Sequence, residues 1–298
     1  MLARLRGVAS RPYLDSPTPF GIAHRGGSKE HPENTLEAFQ AAVDLGYRYL
    51  ETDAQLTRDG VIVAFHDEVL DRVTDLAGRV ADHSLAQVRR ADAAHRFSLD
   101  AGRSFPFRGR GVRIPTLEQV ITAWPDVRIN VDAKTEAVVG PLVALVARLD
   151  AWDRVCVGSF SDARLRRVRH LSGGRLCTSM GRGAVAVART ASLRGRFPTL
   201  GGDCAQVPVR QWRVRVVDEA FVRAAHRAGV QVHVWTVDSR SEMGRLLDLG
   251  VDAIMTDRPA LLREVMARRG LWGEGAEWGG WRDSNPRPPD PQSGTLTS

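Results

Sequence analysis

Eight short runs of apolar and β-branched residues recur along the chain, separated by longer stretches of helical period, and this alternation constrains the fold more than any other feature. The runs are 20–24 (FGIAH), 47–53 (YRYLETD), 127–132 (VRINVD), 154–158 (RVCVG), 175–179 (RLCTS), 202–206 (GDCAQ), 230–235 (VQVHVW) and 252–256 (DAIMT). Helical patterns fall at 35–45, 116–123, 136–149, 161–170, 182–193, 218–228, 240–249 and 259–268. Asn34 with Glu37 has capping-box spacing, and Ser161, Asp218 and Ser239 suit N-caps. Eight strands are the number that closes a parallel βα barrel. A doubly wound open sheet shares the alternation, but no glycine-rich phosphate fingerprint follows the first run. Polar groups fall instead at the ends of several different runs, where a barrel carries its chemistry.

One connection is too long for a plain βα loop. More than seventy residues separate the second run from the third. Within them 61–67 (VIVAFHD) reads as an extra strand and about 67–114 as a small insertion on the catalytic face. The organisation expected is an N-terminal extension over 1–19, a barrel over 20–270, and a disordered tail over 271–298, where Gly, Trp, Pro and Ser dominate without periodicity. No stretch has the length and apolarity of a transmembrane helix and no signal-peptide h-region is present, so a cytoplasmic location is expected. Cys156, Cys177 and Cys204 show no CxxC spacing and read as buried thiols rather than as a zinc or redox motif.

The formal charge of +7 is carried almost wholly by arginine, since Lys29 and Lys134 are the only lysines among 42 basic residues. The basic residues are scattered and lack aromatic interleaving or any nucleic-acid-binding motif, so no specific nucleic-acid partner is expected. The same bias makes Lys134 informative, because a compact point charge stands where the chain otherwise uses a planar guanidinium.

In the run ending ETD, a period of two puts Glu51 and Asp53 on one face. Two close carboxylates need a cation or a proton to neutralise them, and hard oxygen donors suit Mg²⁺ or Ca²⁺. NVDAK repeats the device, with Asp132 as a third oxygen donor and Lys134 placed to meet an anionic substrate. His24 closes the first run and His66 closes the extra strand, so the pair can exchange protons on a shared substrate. Arg25 offers a fork matched to phosphate oxygens, and Gly26 and Gly27 permit close backbone approach. A divalent cation, Arg, Lys and two His form a set suited to cleaving a phosphodiester.

The runs HRGG…HPENTLEAF (24–39), ETDAQLTRDGVIVAFHDEVLDRVTD (51–75), IPTLEQV (114–120), NVDAK (130–134), HVWTVD (233–238) and DAIMTDRP (252–259), in this order, resemble the glycerophosphodiester phosphodiesterase family over about residues 20–268. The resemblance implies an α/β fold, a TIM (β/α)8 barrel with a small insertion after the second strand. It implies metal-dependent hydrolysis of glycerophosphodiesters, small-molecule substrates, to sn-glycerol 3-phosphate and an alcohol. By matching motif, His24 and His66 are the expected acid/base pair, Arg25 and Lys134 serve catalysis and phosphate binding, and Glu51, Asp53 and Asp132 hold one Mg²⁺ or Ca²⁺. Glu33 is expected in the active-site loop and Trp235 at the mouth near the glycerol or alcohol. The family commonly has Glu where Asp132 stands, one methylene longer. Two other readings use the same residues: a phospholipase D-like enzyme acting on lysophospholipids through a cyclic phosphate, and a non-catalytic anion-binding barrel.

Overall fold

The computed structural model describes residues 11–198 and 200–272. Strand β1 (Phe20–His24) leads through helix α1 (Leu36–Asp44) to β2 (Tyr49–Leu56), and the short antiparallel β3 (Ile62–Ala64) folds back on β2. A one-turn helix, α2 (Leu85–Val88), lies in the insertion, which rejoins the barrel at α3 (Leu117–Ala123) and β4 (Arg128–Ala133). The chain continues through α4 (Val139–Arg148), β5 (Val155–Gly158), α5 (Asp162–Leu171), β6 (Cys177–Thr178), α6 (Arg182–Ser192) and β7 (Cys204–Pro208). A hairpin of β8 (Arg210–Gln211) and β9 (Val214–Arg215) precedes α7 (Glu219–Arg227), β10 (Gln231–Trp235), α8 (Arg240–Asp248), β11 (Ala253–Thr256) and α9 (Pro259–Ala267).

The eight parallel strands run in the order β6-β5-β4-β2-β1-β11-β10-β7. The two ends of this series meet at a Ser179–Cys204 bridge and at Met180 N–H donating to the Cys204 carbonyl over 2.9 Å, which brings the sheet almost to a closed barrel. All eight expected strands are present. The β8–β9 hairpin was not foreseen, because two-residue strands among arginines leave no period to read.

Apolar residues on the outward faces of the strands pack under the helices, Leu50, Ile129 and Val232 among them. A second cluster fills the interior, with Phe20, Ile22, Tyr49, Met255 and the three cysteines. Tyr13, on the 3-10 turn Pro12–Leu14, covers the floor, where its carbonyl accepts from the Tyr49 hydroxyl over 2.8 Å. The insertion has a small core of its own that includes Phe65, Leu70, Val88 and Ile114, and bonds from Phe65 N–H to the Asp53 carbonyl tie it to the barrel.

Ser161, Asp218 and Ser239 cap α5, α7 and α8 as expected. The start of α1 differs from expectation. Thr35, not Asn34, is the N-cap, accepting from Ala38 N–H over 3.2 Å. Asn34 stands one residue earlier at φ +56° and spends its side chain on the barrel. Leu271 and Trp272 belong to the described residues, and the Trp272 ring packs 4.8 Å from that of Tyr47. The rest of the expected tail, 273–298, and residues 1–10 of the extension lie outside the described residues.

Candidate active site

The loop after β1 turns through three successive positive φ angles, at Arg25 (+51°), Gly26 (+81°) and Gly27 (+104°). A Cβ at Gly26 would come within 2.7 Å of the Ala38 Cβ, and one at Gly27 within 2.6 Å of the Pro259 ring, so both glycines are dictated by space as well as by backbone conformation. The turn aims the Arg25 backbone N–H at Glu51, 3.1 Å from Oε2, and sends its guanidinium over the barrel mouth. There Arg25 Nε lies 3.1 Å from Asp53 Oδ2 and Nη1 donates to Glu33 Oε1 over 3.2 Å.

Register brings the carboxylates together. Asp53 of β2 and Asp132 of β4 are direct cross-strand partners, and His24 of β1 stands opposite Glu51 of β2. Lys134 bridges the first pair, with Nζ 2.7 Å from Asp53 Oδ1 and 2.6 Å from Asp132 Oδ2. Asp53 also accepts from Asn34 Nδ2 over 2.9 Å, and the Thr52 hydroxyl donates to Asn34 Oδ1 over 2.8 Å.

Each of the two histidines carries a carboxylate on its Nδ1. For His24 this is Asp257, beyond β11, at 2.6 Å. For His66 it is the adjacent Asp67, at 2.5 Å. Arg72, from the insertion, donates to Asp67 and grips Glu33 with two bonds of 2.6 and 2.8 Å, so the insertion and the loop after β1 are locked to each other. The His24 Nε2 faces Glu51, 3.7 Å away.

The charges are strongly interdependent. Burial opposes a charged His24, but Glu51 and Asp257 outweigh it and hold the imidazole above its ordinary pKa. Burial raises the Glu51 carboxyl and neighbouring Asp53 raises it further, whereas Asp53, against its own burial, is pulled down by Lys134 and Arg25. Asp132 is raised by burial, and the ammonium of Lys134 is held above its usual range by Asp53 and Asp132 despite desolvation.

Of the site residues expected from the sequence, all but Glu33 border one cavity of about 550 Å³: His24, Arg25, Glu51, Asp53, His66, Asp132, Lys134 and Trp235. Glu33 stands behind the wall, holding Arg25 and Arg72. Trp235 lies on the opposite wall, its ring 5.6 Å from that of Phe160, and beyond them the lining turns apolar through Met180, Val185, Val214 and Trp212. Sequence reasoning gave no part in the site to Asp257, Asp67, Arg72 or Asn34, the last being read only as a helix cap. Asp67 carried a signal, since it follows His66 directly. Asp257 carried one only through topology, because β11 closes onto β1.

The three carboxylates are chemically suited to a hard divalent cation, and Glu51, buried and raised, has the environment a cation relieves. Their oxygens do not converge as a triad within 4.8 Å among the described residues, and the ammonium of Lys134 bridges Asp53 and Asp132.

The sequence signature of the glycerophosphoryl diester phosphodiesterase family matches residues 24–261. A probable glycerophosphodiester phosphodiesterase 2 of Mycobacterium tuberculosis is 42% identical over 272 residues, covering 89% of this chain and 97% of that protein. Among solved structures, the glycerophosphoryl diester phosphodiesterase domain of an uncharacterised M. tuberculosis protein superposes with a TM-score of 0.74 at 23% identity, over 85% of this chain and all of that one. A phosphodiesterase of Oleispira antarctica, solved with the product sn-glycerol-3-phosphate, superposes with a TM-score of 0.68 at 24% identity, over 84% and 97% of the two chains.

Proposed function

The chain belongs to the glycerophosphoryl diester phosphodiesterase family, and from that premise we propose that it is an enzyme that hydrolyses glycerophosphodiesters to sn-glycerol 3-phosphate and an alcohol by histidine acid–base catalysis beside a divalent cation. The observation that carries the reading is the matched pair of histidines, each oriented by a carboxylate on Nδ1 and both bordering the cavity that holds Arg25 and Lys134. A carboxylate on Nδ1 fixes the tautomer and leaves Nε2 for proton transfer.

Arg25 and Lys134 bind the non-bridging phosphate oxygens as negative charge gathers on them in the transition state. One histidine takes the proton of the attacking water. The other gives a proton to the leaving alkoxide as its P–O bond breaks, and the two proton states reset when the products leave. Glu51, Asp53 and Asp132 would hold Mg²⁺ or Ca²⁺, which when bound supplies further positive charge to the phosphate. Glu33 and Arg72 keep Arg25 and the His66 loop in register, and Trp235 packs on the glycerol or alcohol.

A second reading has one observation in its favour, the apolar wall that continues from Trp235 to Trp212. A lysophospholipid could lay its acyl chain there while its glycerol hydroxyl, rather than water, attacks phosphorus to give a cyclic phosphate.

A phosphorus NMR time course separates these readings. The expected result with glycerophosphocholine and Mg²⁺ or Ca²⁺ is a growing phosphomonoester signal that stops on addition of EDTA. A cyclic phosphate, formed faster from lysophosphatidylcholine, would establish the second reading. Binding of glycerophosphocholine with no turnover of either substrate would leave the barrel an anion-binding protein.

A further inference from the structure

The three cysteines come from three consecutive strands of the barrel. Cys156 of β5 is the cross-strand partner of Cys177 of β6, and Ser179, two residues beyond Cys177, bridges to Cys204 of β7. The period of two turns all three side chains inward, into the cluster on the barrel floor. Their sulfurs lie within 4.8 Å of one another, all buried and none in a disulfide. None of them lines the catalytic cavity.

Three packed thiols alone would be ordinary small core residues. Two polar atoms beside them are not ordinary. His233 of β10, on the strand next to β7, is 0% exposed, and its Nε2–H donates to Gln231 Oε1 over 3.1 Å. The Gln231 amide is itself held by its bond to the Leu14 carbonyl, 3.0 Å. That arrangement places the imidazole lone pair on Nδ1, which is buried and makes no hydrogen bond of normal geometry, while the ring lies close enough to the Cys204 thiol to act on it. The Tyr13 hydroxyl, in the same cluster as the sulfurs, is likewise buried without a partner. Orphaned groups of this kind cost about 1–3 kcal/mol each. A lone pair and a hydroxyl donor beside three sulfurs are the complement of a cation held by thiolates: the cation takes the lone pair and a thiolate accepts the O–H.

We propose that Cys156, Cys177 and Cys204, with His233 Nδ1 as fourth donor, form a closed structural site for a thiophilic d¹⁰ cation of the Zn²⁺ type. Three thiolates and one imidazole, whose other nitrogen donates to a carbonyl-type oxygen, make up a recurrent tetrahedral donor set. Binding forms three metal–sulfur bonds and one metal–nitrogen bond and releases three thiol protons, with no change of oxidation state. His233 stands outside the triangle of sulfurs, so the thiolates are the primary grip and the ring moves inward to complete it. Soft sulfur donors set this site apart from the oxygen-rich catalytic mouth, where a hard cation belongs.

Cobalt tests the assignment without reference to activity. The full chain is produced in minimal medium with Co²⁺ as the supplied transition metal, then assayed for metal content and absorption. The expected result is one tightly held Co²⁺ per chain with a sulfur-to-cobalt charge-transfer band and the strong visible bands of a tetrahedral complex. Because the chain has only three cysteines, the unaltered protein already decides the matter: a folded chain with no thiolate–cobalt band overturns the proposal. Cys177→Ser should abolish the band and His233→Ala should change the tetrahedral pattern, while Glu51→Gln leaves both intact. A band lost in Glu51→Gln and kept in Cys177→Ser would equally overturn it.

Discussion

Asp53 holds three partners at once, the Arg25 guanidinium, the Lys134 ammonium and the Asn34 amide, and it is 1% exposed. Removing the carboxylate would leave two buried cations short of a counter-charge, a loss of about 3–5 kcal/mol for a broken buried pair. Asp53→Ala is therefore expected to lose both turnover and stability, so Asp53→Asn, which keeps the volume, is the cleaner variant: circular dichroism should report a folded barrel while phosphomonoester release disappears. Asp257→Asn is expected to lower kcat by about 10²-fold or more, because it removes the negative charge that holds and orients the His24 imidazole, and His24→Ala and His66→Ala should each fall within about 10²–10⁴-fold. Measured rates within a few-fold of the parent would end the acid–base assignment. The two histidines were legible because His24 ends a strand and His66 follows one by two residues. Their carboxylates were not legible to the same degree, since Asp257 meets His24 only after the barrel has brought positions 233 apart into contact.

At the scale of elements, the helix starts at Ser161, Asp218 and Ser239 could be read directly, because a capping residue acts on the N–H groups immediately following it. The start of α1 could not, since two neighbouring residues had capping chemistry and the choice lay with Asp53. Asn34 is taken by the strand, and Thr35 caps. Thr35→Ala should cost about 1 kcal/mol in urea unfolding, whereas Asn34→Ala should show its larger effect in kcat/KM, through Asp53. The last turn of α7 offers a pH test. His226 Nε2 lies 2.8 Å from Asp252 Oδ2, and this bond, opposed by partial burial, raises the His226 pKa. A raised folded-state pKa stabilises the fold fully below the unfolded value, about 6.5, and the contribution fades as pH rises through the folded value. His226→Gln should therefore lower the urea midpoint at about pH 5.5 and scarcely at all at about pH 9, by less than about 1 kcal/mol given its exposure.

For the molecule as a whole, eight strands in the right order sufficed to anticipate the barrel, because strand count and alternation are properties of the chain itself. The gathering of the three cysteines was invisible for the opposite reason: they are 21 and 27 positions apart in sequence and become neighbours only through inter-strand register. The floor depends on Tyr13, 0% exposed, and Tyr13→Ala is expected to lower stability by about 3 kcal/mol, measured as a fall in the unfolding midpoint with kcat nearly unchanged, since the catalytic groups stand at the other end of the strands. The segment bearing Tyr13 is fastened by Arg11, which donates to Asp203 Oδ1 over 2.8 Å and to the Gly174 carbonyl over 2.7 Å, partners 192 and 163 positions downstream. Synthesis runs from N- to C-terminus, so neither anchor exists when the segment is made, and they follow it only after 163 and 192 further positions. An aromatic arm made before the strands it covers thus has to wait for Arg11's anchors while strand after strand is laid down above it, so the Arg11 anchors of the barrel's floor are fastened later than the strands that precede them in the chain.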